Sequence, residues 1–95
     1  MICIAEVLSD GRRFEVRGQT ARCLVALVGA GDRGVTALEV STWALRFAAY
    51  TYDLRTKHGL NIQTLREEHP GGWHGRHALR TQVRIVSVET GEAQD

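Results

Sequence analysis

The side chains best suited to chemistry in this 95-residue chain are four histidines and a set of arginines. His58, His69, His74 and His77 lie close together in sequence, and His74 and His77 have the two-residue gap that metal ligands use. A structural zinc site recruits Cys as well, and Cys3 and Cys23 belong to other segments, so no metal is expected. Cys3 sits in an apolar strand-like run and Cys23 in a helix-like run, which reads as two buried free thiols and not a disulfide framework. Four imidazoles could add up to four charges on acidification. Glu67 and Glu68 are adjacent, so in a strand they point to opposite faces and form no acid–base pair. There is no glycine-rich phosphate loop and no nucleophile elbow. The chain is therefore read as a non-enzyme without a cofactor. Binding is the chemistry left, and eleven of the twelve basic residues are Arg, the side chain that grips phosphate and guanine bidentately.

Charge is unevenly placed. The formal net charge is +1, yet residues 1–43 sum to zero, 44–84 to +4 and 85–95 to −3. All four histidines fall in the basic stretch. The length suits one domain, residues 1–88, and the composition, 43% apolar and 24% charged, suits a globular one. No run is apolar enough to span a membrane and no signal-peptide pattern opens the chain, so a cytoplasmic location and no membrane partner are expected.

The elements that must position these residues follow from local signals. Ile2–Leu8 and Arg12–Arg17 flank Asp10-Gly11, a tight-turn signal for a hairpin over residues 1–18. Placing the turn there sets Val7 opposite Phe14 and Ala5 opposite Val16. It also sets Glu6 opposite Glu15, an unfavourable pair that a bulge or longer loop would relieve. A helical part spans residues 20–59. Thr20 is the expected N-cap of a first helix through Val28, broken by Gly29, Gly31 and Gly34. Thr36-Ala37-Leu38-Glu39 is a capping box, with Val35 and Val40 as a hydrophobic staple, so a short second helix is expected from Ala37. Ser41-Thr42 offers the next N-cap, and a third helix is expected from Trp43 to Lys57. Its inner stripe is Ala44, Phe47, Ala48, Thr51 and Leu54, and its outer side Arg46, Tyr50, Asp53 and Lys57. Asp53 and Lys57 form an i,i+4 pair, and Gly59 ends the helix. Residues 60–88 read as a wing: strands Ile62–Glu68 and His77–Val88 around a flexible loop, His69–Arg76. Leu79, Thr81, Val83 and Ile85 alternate with Arg80, Gln82, Arg84 and Val86. Residues 89–95 form an acidic tail expected to fray.

The run Thr20–Val88 resembles a winged helix-turn-helix domain of the small type common in phage and mobile-element proteins. Val35-Thr36-Ala37-Leu38-Glu39, Arg46-Phe47-Ala48-Ala49-Tyr50-Thr51-Tyr52-Asp53-Leu54-Arg55 and His58-Gly59-Leu60-Asn61-Ile62 carry the resemblance. It implies an α+β fold with three helices, a small antiparallel sheet and an added N-terminal hairpin, the hairpin either extending the wing sheet or giving an edge for a homodimer. It also implies that the third helix enters the major groove of DNA. Arg46 and Tyr50 would then read base edges, with Arg46 on guanine. Arg55 and Lys57 would approach phosphates. His74, Arg76 and His77 would reach the backbone from the wing, with Arg80 and Arg84 on its strand face. Trp43 reads as a packing residue at the helix junction and Tyr52 as a core-edge aromatic. Trp73 is either a contact residue or the anchor of a loop folded back on the sheet.

Two functions fit this outline. The first is a DNA-binding regulator of phage or mobile-element type, partnered by double-stranded DNA. The second is a protein-interaction module on the same scaffold, such as a phage-encoded inhibitor of a host defence complex, an anti-CRISPR protein. The near-neutral charge and the aromatics Tyr50 and Trp73 keep the second in play.

Overall fold

A computed structural model describes residues 1–90. The expected acidic tail lies largely outside them, at residues 91–95.

Alternation builds the first two strands, β1 (Ile2–Val7) and β2 (Arg13–Arg17), with Cys3, Ala5 and Val7 buried along one face. Their register differs from the expected one by two residues: Cys3 faces Val16 and Ala5 faces Phe14. The connection is a wider loop, in which the Gly11 N–H donates to the Val7 carbonyl and the Val7 N–H to the Arg12 carbonyl. A slip of two keeps the same side chains inward. It replaces Glu15 by Arg13 opposite Glu6, so a like-charge pair becomes an attractive one.

Helix α1 (Gly18–Ala30) follows directly, burying Ala21, Cys23, Leu24 and Leu27. Thr20 lies inside it and does not cap it; Arg17 occupies the N-cap position, with no side-chain bond. Gly31, at φ 57°, ends α1 and opens a 3-10 turn, Gly31–Arg33, before the two-residue strand β3 (Val35–Thr36). Cys3 and Cys23 are free and buried, and burial pushes the Cys23 thiol up to about 12.

The capping box forms as expected. The Glu39 N–H donates to Thr36 Oγ1 (3.2 Å), the Thr36 N–H donates to Glu39 Oε1 (3.0 Å), and Val35 and Val40 are both buried. It opens only one 3-10 turn, Leu38–Val40, and not an α-helix. The Ser41 hydroxyl donates backward to the Leu38 carbonyl (2.9 Å), closing that turn instead of capping a new helix. Helix α2 (Phe47–His58) therefore starts four residues after the expected Trp43. The chain has two α-helices among its described residues, where three were expected. Phe47, Thr51 and Leu54 are buried along α2, whereas Ala48 is exposed. Gly59 ends it in the left-handed conformation, as expected.

The last third departs most from expectation. The stretch His69–Arg76 is not a flexible loop: β4 (Ile62–His69) and β5 (Gly72–Leu79) pair along their whole length around a turn at Pro70-Gly71. The strand expected over His77–Val88 breaks at Arg80–Gln82, where the Arg80 N–H (2.7 Å) and the Thr81 N–H (3.4 Å) donate to the Asn61 carbonyl. Beyond the break, β6 (Val83–Glu89) leaves the wing and pairs antiparallel with β1. Two three-stranded sheets result, ordered β2-β1-β6 and β3-β5-β4. The opening hairpin thus belongs to its own sheet and adds nothing to the wing. Leu24, Leu27 and Leu54 are fully buried in the core that both sheets share with the helices.

Candidate nucleic-acid interface

Register fixes which side of the wing each residue occupies. Cross-strand partners share a face, so Ile62, Thr64, Arg66 and Glu68 lie with Leu79, His77, Gly75 and Trp73. Helix α2 is on this same face. The Phe47 ring meets the His77 ring edge-on at 5.2 Å. Arg55 donates from Nε (3.0 Å) and Nη2 (2.9 Å) to the Ile62 carbonyl and from Nη2 to Thr64 Oγ1 (3.1 Å). Beyond the helix, at the tip, Arg66 stacks over the Trp73 ring at 4.7 Å. Helix α2 and the tip residues Arg66 and Trp73 thus share one face of the wing.

The sides of α2 follow from helical spacing. With Thr51 inward and Arg55 toward the wing, Ala48, Tyr52 and Thr56 form the exposed strip beside the wing. Tyr50, Asp53 and Lys57 lie on the other side: Tyr50 packs partly on the core, and Asp53 and Lys57 border a groove with Glu15, Arg17 and Thr20. The expected outer side is therefore the one turned away from the wing. Tyr52, read as a core-edge aromatic, is 62% exposed. Trp43 sits at the junction as expected, with Arg22 over its ring at 4.4 Å and its carbonyl accepting from Gln19 Nε2 at 2.7 Å.

The expected contact residues fare unequally in placement. Arg46 is exposed at the start of α2 with no carboxylate partner among the described residues. Lys57 is paired with Asp53 at 3.8 Å, the expected i,i+4 contact. Arg55 is half-buried and occupied by β4. Arg76 is bound by Glu67 (2.8 Å) and Glu39 (3.4 Å), Arg80 by Asp32 (3.0 Å), and Arg84 by Glu6. Glu39 is held below the ordinary carboxylate range, first by the Thr36 N–H and then by Arg76; Glu67 is lowered by hydrogen bonds from Arg76 and His74. His74 lies 2.7 Å from Glu67 and stacks on His69 at 5.2 Å. His77 shares a 3.0 Å hydrogen bond with Thr64. In a strand a gap of three puts His74 and His77 on opposite faces, so the two cannot chelate one ion. Trp73, 54% exposed, extends from a strand and not from a loop folded on the sheet.

Sequence reasoning did not select Leu45, Ala48, Tyr52 or Arg66 for this surface. The signal for Ala48 and Tyr52 is the Phe47–Thr51–Leu54 inner stripe, which leaves them on its outer flank; Leu45 lies in the turn before the helix and has no such signal. Arg66 emerges only from the β4–β5 register.

Burial, and then the charge of Arg55, lowers the pKa of His77, and burial, Arg12 and Lys57 lower that of His58. The unfolded chain then binds protons more readily than the folded one. These groups stabilise the fold fully above the ordinary value of 6.5, and that stability is lost as the pH falls through their lower folded values. The melting temperature, followed by circular dichroism, is expected to fall between about pH 7.5 and 5.5, and His77→Gln to make that fall shallower.

A helix docked across the base of a β-hairpin, preceded by a capped turn and a core-facing first helix, defines the winged helix class. Folds of this class typically bind DNA and are not enzymes. The family model of the winged helix domain matches residues 13–89, and the chain belongs to that family. Strand β1 lies outside the matched segment. No curated protein and no solved structure matches the chain. No helix among the described residues is long and apolar enough to cross a membrane.

Proposed function

We propose that this chain binds double-stranded DNA as a regulator of the phage or mobile-element type, with α2 in the major groove and the β4–β5 hairpin against the flanking backbone. The observation that carries this reading is that α2 and the wing tip stand on one face of the β4–β5 hairpin, with Arg46 exposed at the helix start and Arg66, stacked on Trp73 and paired with Glu68 at 2.9 Å, on the tip. Few cations on this side stand without a carboxylate partner among the described residues, because Arg66, Arg76, Arg80 and Arg84 are all paired within the chain. A footprint of about four phosphates loses about 10²-fold in affinity between about 50 and 200 mM salt. A gel shift of a duplex at low salt, lost on that salt increase and lost in the Arg46→Ala/Arg66→Ala double variant, is the expected result. Absence of any shift at low salt would sink the reading.

A second reading is a protein-interaction module, such as an inhibitor of a host defence complex. It is favoured by Leu38, 83% exposed beside a groove of about 360 Å³ between the capped turn and β5. Capture of a host complex that survives nuclease treatment and is lost in Leu38→Asp is the result this reading requires.

A further inference from the structure

Resting on the reading of α2 as the helix that enters the groove, we infer that it selects A·T-rich duplexes by packing against thymine methyl groups, and does not read guanine. The strip beside the wing holds Ala48, Tyr52 and Thr56, with Leu45 just before the helix; none is a base-reading Arg, Lys, Asn or Gln. The Thr56 hydroxyl donates its proton to the Tyr52 carbonyl (2.9 Å), which leaves its methyl and an acceptor oxygen outward. Arg55 is the one cation on this side of α2, and its guanidinium is held by the Ile62 carbonyl and Thr64. Turning it onto a guanine would break all three of its bonds.

The surface left exposed is mostly apolar, the Tyr52 hydroxyl apart. Leu45 is 90% exposed and Tyr52 62%, so a partner that covers them recovers the transfer free energy of their surface. The major groove offers one apolar group on its floor, the thymine C5-methyl, and apolar side chains are its natural contacts. The setting of the strip argues for DNA over an apolar protein surface. Arg46, with no carboxylate partner among the described residues, stands at one end of α2, and Arg66 stands on the wing tip, where it shares its charge with Glu68 at 2.9 Å and stacks on Trp73. Cations on either side of an apolar strip match a groove floor of methyls walled by two phosphate backbones.

The test uses the whole chain and four fluorescent duplexes of one length at low salt. One pair is an A·T duplex with thymine and the same duplex with uracil, which lacks only the methyl. The other pair is a G·C duplex with cytosine and with 5-methylcytosine, which places a methyl at the same groove position. The expected result is a loss of about fourfold in affinity for each contacted methyl removed, and tighter binding on cytosine methylation. In Leu45→Ala/Tyr52→Ala, both positions being exposed, the thymine-to-uracil ratio is expected to fall toward one while the salt dependence persists. Equal affinity for thymine and uracil duplexes, or an unchanged ratio in the double variant, overturns the methyl reading and leaves duplex binding standing. If no duplex binds, both readings fall, and a protein captured through Leu45 and Tyr52 would then be the occupant.

Discussion

Leu54→Ala is expected to remove a large share of the stability of this domain. Leu54 is fully buried on α2 and packs in one cluster with Leu24 and Leu27 of α1 and with Ile62 of the wing. Truncating a buried Leu costs about 2–5 kcal/mol through lost transfer energy and the cavity left behind. Against a total of about 5–15 kcal/mol, that loss brings the fold near its limit. In a domain of this size each kcal/mol moves the midpoint by about 4–8 °C, so thermal denaturation is expected to shift down by at least about 8 °C. Leu45→Ala, at a 90% exposed position, is expected to stay within about 0.5 kcal/mol of the parent. The contrast separates an apolar residue that holds the fold from one that waits for a partner.

Gly34→Ala is the second large effect. Gly34 adopts φ 74° just before β3, where a side chain is strained in any case. A Cβ there would also lie 2.8 Å from the His77 carbonyl oxygen and 3.0 Å from Arg76 Cγ. The oxygen belongs to the β5 backbone and cannot swing aside, so β3 must part from β5. Strain and overpacking together cost about 2–6 kcal/mol. Amide exchange at Val35 and His77, the paired residues of β3 and β5, is expected to accelerate together with a drop in melting temperature. Gly11→Ala has a similar φ of 72° but open space around it, and so isolates the strain from the clash.

Local rules made part of this fold legible. The Thr36–Glu39 capping box and the Gly59 helix end depend on residues within one turn of each other, and both form as read. Where a residue's role depends on a distant partner, sequence reasoning erred. Gly72, Gly75 and Pro70 look like a loop in isolation, yet β4 supplies a partner for every residue from Gly72 to Leu79 and makes a strand of them. The break at Arg80–Gln82 is set by the carbonyl of Asn61, some twenty residues earlier. In the first hairpin the clash of Glu6 with Glu15 was visible, and the remedy, a slip of two, was not. The candidate surface suffered most. Arg55, Arg76, Arg80 and Arg84 carry charges that sequence presents as available, and their hydrogen-bonded partners across strands and turns occupy them. Tyr50 and Tyr52 flank the inner stripe of α2 one residue to either side of Thr51, and which of them the core covers is set by tertiary packing that helical spacing does not show.

The pairing of β1 with β6 ties the first strand to the last among the described residues. During synthesis β1 leaves the ribosome early with one edge satisfied by β2 and the other unpaired. It must stay so until Val83–Glu89 has emerged, because nothing nearer in sequence occupies that edge. The closure entropy of the whole intervening segment is spent before this pairing returns any energy, which slows folding. The helices and the wing hairpin can form earlier from contacts close in sequence. Until β6 is seated, Cys3, Ala5 and Val7 lack part of their cover.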